Sequence, residues 1–302
     1  MNDSEHLKGL LLTFTAVLIL SPDALLVRLI QADIWTLLFW RCLLTSTMLS
    51  LFLLLRYRRR FIPTVKAIGR TGLLSSLTIT IGSLLFVNAL KQTTAANTLI
   101  ILAATPVISS LLSGLFLKEK IPLRTKIAIT ICFGGILLIF SGSLHHGLLL
   151  GDLLALGATT MWGSNIVIIR SGKNVNMIPA NALGNLCVVP IAWFLGAQPL
   201  AVSPADAGFL ALLGCLVLPI SFGLITLGPR HLQAPEVSLI LLTETVVGPV
   251  WVWLALNEIP HIRTVVAGLL IVGTLLVHTL LSLRQLSARN RISRFPDPQA
   301  QP

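Results

Sequence analysis

The chain has 302 residues, of which 55% are hydrophobic and 11% charged, and its formal net charge is +11. That balance excludes a soluble domain with a charged shell. Nucleic acid is equally excluded as a partner, because the cations fall in short connections between long apolar runs, where they report orientation in a bilayer.

Apolar stretches of about 20 residues, the length a helix needs to cross ~30 Å of hydrocarbon, are expected at 7–27, 34–55, 71–90, 95–117, 123–142, 149–170, 178–198, 206–227, 234–256 and 262–283. They are continuously apolar, whereas barrel strands alternate over about ten residues, so the expected class is an all-α membrane protein. The first run continues through Pro22 and Asp23 with no small-residue cleavage site behind it, and reads as a retained span. Proline there frees backbone groups and predicts a break, with Asp23 beside it as a candidate for a proton or an amine. Span 2 carries Trp40, able to stack on a ligand or to anchor at the lipid interface, and Arg41, the only basic residue well inside a span. Arg41 cannot readily shed its charge. It is a candidate to hold a substrate carboxylate; the alternatives are pairing with a buried carboxylate such as Glu244, or snorkelling to the headgroups.

Trp162 and Asn165 stand one turn apart on span 6 and form the preferred pocket pair, while Asn181 and Asn185 share a face of span 7. Span 9 contains Glu244, ten residues in and so about 15 Å from its start. A bare carboxylate at that depth costs at least ~2.5 kcal/mol, so it must face protein or water. Gly248 and Trp251 continue its stripe, offering a gap beside an aromatic wall. Glu244 is read as a proton carrier or a ligand for a cationic group, against a structural carboxyl bonded to a neighbouring helix. On span 10, Thr274, His278 and Ser282 form one stripe. Most such polar residues are interhelical glue, worth about 0.6 kcal/mol each. Prolines 106, 190, 219 and 249 supply kinks in spans 4, 7, 8 and 9. Cys42, Cys132, Cys187 and Cys215 lie within spans without metal-ligand spacing and read as packing residues, so no metal site is expected.

The segment AANTLIILAATPVISSLLSGLFLKEKIP from Ala95 repeats as APEVSLILLTETVVGPVWVWLALNEIP from Ala234, at an offset of 139 residues. Ile101 meets Ile240, Val107 meets Val246, Leu117 meets Leu256 and Glu119 meets Glu258. Ten spans thus divide into two halves of five, 1–143 and 144–284, followed by a tail at 285–302 expected to be disordered and cytoplasmic. An odd number of spans per half forces inverted topology, the arrangement of secondary transporters.

These residues resemble the drug/metabolite transporter superfamily in its ten-helix EamA type. The resemblance runs from Leu7 to Leu283 and is carried by Phe39-Trp40-Arg41, Asn88-Ala89-Leu90, Thr105-Pro106-Val107, Leu117-Lys118-Glu119, Trp162-Gly163-Ser164, Glu244 with Leu256-Asn257-Glu258, and the glycines of spans 5 and 10. The sequence departs from the family pattern at Ser21-Pro22-Asp23, where a Trp-Gly pair is common, and at Pro249, which falls later than the usual Glu-Pro. The resemblance implies an efflux permease for small polar or amphipathic metabolites, amino acids or related compounds among them.

Eighteen cations lie on one set of alternate connections, clustered at 56–70, 118–126 and 284–294 with Lys8, Arg170, Lys173 and Arg230, against Arg28, Lys91 and Arg263 on the other. Both termini are therefore expected in the cytoplasm and the chain in the inner (plasma) membrane. The functional expectation is alternating-access transport, with Glu244 and Asp23 as proton-coupling candidates. The expected partners are a small-molecule substrate and the lipid bilayer, the chain acting as a monomer or homodimer, with no cofactor. The competing readings are a passive channel or scaffold, for which no segment supplies a filter, and a membrane enzyme. The adjacent His145 and His146 near Asp152 lack HExxH-type spacing, and no Gly-rich phosphate loop or nucleophile motif is present.

Overall fold

The computed structural model describes residues 3–118, 122–171, 177–227 and 234–294. Glu119, Lys120, Lys173, Arg230 and residues 295–302 lie outside the described residues, as do the side chains of His145, His146, Arg170 and Ser282. The described residues are helical almost throughout. The elements are α1 Asp3–Leu20, α2 Asp23–Leu29, α3 Ile34–Tyr57, α4 Phe61–Lys66, α5 Gly69–Gln92, α6 Ala95–Ala103, α7 Thr105–Phe116, α8 Leu123–His146, α9 Leu149–Ser171, α10 Ile178–Phe194, α11 Pro204–Ala211, α12 Leu218–Leu227, α13 Ala234–Leu256 and α14 Ile262–Arg294. Seven spans are long and apolar enough to cross a membrane singly, and the bent pair α6/α7 makes an eighth. The remaining two of the ten expected, Ile178–Phe194 and Ile240–Leu256, are apolar but shorter.

The breaks have local causes. Pro22 separates α1 from α2, as its missing N–H predicts. The α6/α7 pair bends by 40°, with Pro106 in the first turn of α7. Between α11 and α12 the chain widens into a π segment, Leu212–Val217, just before Pro219 removes a donor. The tail also departs from expectation: α14 runs to Arg294, so residues 285–294 are helical where disorder was expected. The run LSLRQLSAR is made of good helix formers, and its arginines sit favourably at a helix C-terminus.

One end of the bundle gathers the odd-numbered connections. Lys91 donates to the Ile30 carbonyl (2.6 Å), Gln31 N–H to Asp206 (2.9 Å), Thr93 to Asp152 (2.6 Å), Ala95 N–H to Glu258 (2.9 Å) and Gln198 N–H to Thr36 (2.8 Å). The second half therefore starts at the end where the first half does not, which is inverted threading. Packing follows the same two-fold relation. The contact of α5 with α9 is mirrored by α1 with α12, that of α6 and α7 with α9 by α13 with α1 and α2, and that of α10 with α5 by α3 with the π segment. The pairs α3/α10, α8/α14 and α6/α13 each join equivalent spans. The halves interleave, and the most extensive interfaces, α5/α9, α3/α10, α8/α14, α5/α10 and α1/α12, join one half to the other. Lys118 and Asn257, 139 residues apart, share the same left-handed backbone (φ 54° and 53°) at the ends of α7 and α13.

Small residues permit this closeness. A Cβ at Gly184 on α10 would stand 2.8 Å from Ile79 and from the Ser76 carbonyl of α5, whereas one at Gly134 meets nothing within 4 Å. Gly184→Val should therefore cost ~1–3 kcal/mol by overpacking, lowering the melting temperature of detergent-purified protein, while Gly134→Ala leaves it unchanged. Equal melting of the two variants would contradict the α5/α10 contact.

Candidate functional site

The break at Ser21–Pro22 organises the middle of the bundle. Asp23 opens α2, and Arg41, one side of α3, reaches it with Nη2 at 3.1 Å from Oδ1 and 2.9 Å from Oδ2. Both side chains are more than nine-tenths buried. Of the carboxylates in the spans, the one paired with Arg41 is Asp23, not Glu244. The guanidinium also stands 5.7 Å from the centre of the Phe86 ring on α5, and Phe86 packs at 5.3 Å on Trp162 of α9. A continuous stack, carboxylate to guanidinium to phenyl to indole, thus crosses from the first half into the second. Arg41 Nε, fully enclosed, has no acceptor among the described residues. The π segment is fitted to this point, since a Cβ at Gly214 would lie 3.4 Å from the Arg41 carbonyl.

Glu244 approaches from α13. It is half-buried, and among the described residues no donor is hydrogen-bonded to its carboxylate. The charged group near enough to act on it is Asp23. The stripe expected beyond it faces the span 1 break: a Cβ at Gly248 would meet Leu99 at 2.6 Å and the Ser21 carbonyl at 3.8 Å, and Trp251 Nε1 donates to Ser21 Oγ at 3.0 Å. Glu244, Trp251, Ser21 and Asp23 therefore converge where the two halves meet.

The other expected residues separate into two groups. Trp162 and Asn165 both face α5, Trp162 against Gly82 and Asn165 accepting from Ser75 at 2.6 Å. Trp162 belongs to the central stack, while Asn165 is tied to Ser75. Asn185 donates to the Asn181 side chain (2.8 Å) and backbone (3.0 Å) along α10, a helix held by hydroxyls of Ser46, Ser76 and Thr80 that donate to its carbonyls. His278 meets Thr125 of α8 at 3.1 Å, in the α8/α14 interface. Trp40 donates to the Pro199 carbonyl at 3.1 Å and stacks edge-on with Phe39 at 5.6 Å, which directs it to the connection between α10 and α11. Phe86, in contact with the centre, carries no signal in the sequence, because an apolar ring within a span is ordinary. Among the described residues no group of three metal-ligating side chains occurs.

The EamA-like transporter family model matches residues 7–141 and 149–280, one copy on each half. The chain belongs to the EamA-like transporter family. A solved crystal structure overlays on 91% of this chain and 98% of its own, with a TM-score of 0.67 and 17% identity, a likeness in fold alone. No curated protein matches the chain in sequence. Family membership fixes a multi-pass transporter of the drug/metabolite class.

A buried pair broken on one side strands a charge, at a cost of ~3–5 kcal/mol, whereas apolar replacement of both partners is near neutral. Asp23→Asn or Arg41→Met alone should therefore melt well below the unmodified protein, and Asp23→Leu combined with Arg41→Met should recover most of the loss. Singles as stable as the parent would show that the two side chains are not paired.

Proposed function

We propose that this EamA-like protein is a secondary transporter that exports small polar or amphipathic metabolites, amino acids or related compounds among them, by alternating access, with Glu244 as the coupling carboxylate. The observation that carries this reading is Glu244 itself, half-buried, without a hydrogen-bonded donor among the described residues, and set at the seam between interleaved halves. A structural carboxyl in hydrocarbon is held by donors, as Asp23 is by Arg41. One without them is a group kept for a proton or for the cationic part of a cargo. Trp251 beside it supports the second role, since an indole face and a carboxylate together suit an ammonium group. Rocking of one half against the other would present this position to each side in turn. The eighteen-to-three division of cations supports cytoplasmic termini in an inner (plasma) membrane.

Flux into proteoliposomes tests the proposal. Amino acids and related metabolites should cross faster than in empty vesicles, saturably, and an imposed pH gradient should accelerate them. Glu244→Gln should lower gradient-driven flux by about tenfold or more, the factor for ~1.4 kcal/mol. If the unmodified protein moves none of these compounds faster than empty vesicles do, the transport assignment for this substrate class fails. Unchanged coupling in Glu244→Gln would return that residue to a structural role.

A further inference from the structure

The end of the bundle opposite the arginine-rich connections holds a second polar cluster, apart from the central stack. Asp152, in the first turn of α9 and fully buried, accepts from Thr93 Oγ1 at 2.6 Å, from Asn97 Nδ2 at 3.0 Å and from Ser143 Oγ. Asn97 in turn accepts from Thr264 Oγ1 at 2.6 Å. At the rim, Glu258 accepts from Ala95 N–H at 2.9 Å, opposite the start of α6, and pairs with Arg28 at 3.3 Å, while Arg28 also donates to the Thr93 carbonyl.

These contacts share one property. Thr93, Asn97, Ser143, Arg28 and Ala95 belong to the first half; Asp152, Thr264 and Glu258 belong to the second. Apart from the Arg28–Thr93 bond and the Ser143–Asp152 bond, which spans the short turn joining α8 to α9, each of them crosses the seam, and those that cross would part together if the halves separated at this end. They are also contacts that water can replace. Hydroxyl, amide and carboxylate groups regain their hydrogen bonds on wetting, and Asp152 would keep the favourable field of its own helix N-terminus. Arg28 and Glu258, each about a fifth exposed, already touch solvent at the rim. An apolar seam would lose its stabilisation on opening; a polar one exchanges partners.

We infer that the Asp152 network and the Arg28–Glu258 pair form a gate, closed in this structure, across the face opposite the arginine-rich connections. The inference rests on the transporter reading, and it assigns residues to a step that reading leaves without any: which contacts must break for the central carboxylate to reach that face. By the distribution of cations this is the outer face, so the structure is closed outward.

Accessibility at Ser21 tests it. In a protein with its four cysteines replaced by alanine, Ser21→Cys places a thiol beside Trp251, behind the gate. A membrane-impermeant maleimide added to intact cells should label it slowly, and Asp152→Asn combined with Glu258→Gln should raise that rate by about tenfold, the factor for ~1.4 kcal/mol of lost closing free energy. Glu258→Gln alone, which alters only the part-exposed rim, should give a smaller rise and keeps the test open if the double variant fails to fold. Outside labelling unchanged in folded Glu258→Gln and in the double variant would overturn the gate. So would fast outside labelling of the parent. Neither outcome depends on flux, so the gate can fail while transport by the unmodified protein stands, and the transport reading fails separately on its own proteoliposome result.

Discussion

A carboxylate or guanidinium within hydrocarbon must find its partners inside the protein, and this constraint shapes the whole bundle. Asp23 and Arg41 sit on different spans of the first half, yet the site that shields them is completed by the second half, through the π segment at Gly214 and the ring of Trp162 behind Phe86. The hydroxyls of Ser46, Ser76 and Thr80, each donating to a carbonyl of α10, fasten the same interface without adding charge.

Helix ends extend the same logic to the rim. Arg28, at the end of α2, donates to the carbonyl that follows α5, and Lys91, at the end of α5, donates to the carbonyl that follows α2. Each cation thus caps the other helix, where unsatisfied carbonyls and the helix dipole both favour positive charge. Arg263 likewise donates to the Ser141 carbonyl near the end of α8, at 2.9 Å. These are the three cations on the minority side of the charge count, and all three are committed to carbonyls of the protein. The asymmetry between the two faces is sharper than the bare count, because the minority face contributes no cation that lacks an internal task.

The sequence made the threading legible and left the partners hidden. Apolar length located the spans, and the repeat at 139 residues located the inverted halves, down to the matching left-handed backbone of Lys118 and Asn257. The stripe of Glu244, Gly248 and Trp251 was also readable, because i, i+4 and i+7 share a helix face whatever lies opposite. What lies opposite was not readable. Helical periodicity says which residues point together, not which helix they meet, so Asp23 as the partner of Arg41, and Phe86 as its ring, needed the packing. Asp152 was obscured further: in the sequence it is noticed only as an acid near His145 and His146, and it is the arrival of Thr93, Asn97 and Ser143 from three other helix ends that makes it a buried centre. Asn181, Asn185 and His278 show the converse, since polar residues inside spans attract a functional reading although their partners here are each other and neighbouring helices.

The repeat offset also shows how two similar halves come to differ at their centre. Carried onto spans 4 and 9, it sets Glu244 over Thr105. Thr105 begins α7 just beyond the bend and turns its hydroxyl back to the Leu102 carbonyl at 2.6 Å; Glu244 lies in a helix that runs unbroken from Ala234 to Leu256. At this pair of equivalent positions one half supplies a group that can carry charge and the other a group that cannot. An exact two-fold would place two carboxylates at Asp23 and its mate and two more at Glu244 and its mate, four like charges around one centre with only Arg41 and its own mate to balance them. Divergence of the halves keeps one carboxylate neutralised by Arg41 and one held apart from any donor, and the symmetric frame can then move around a centre that is chemically one-sided.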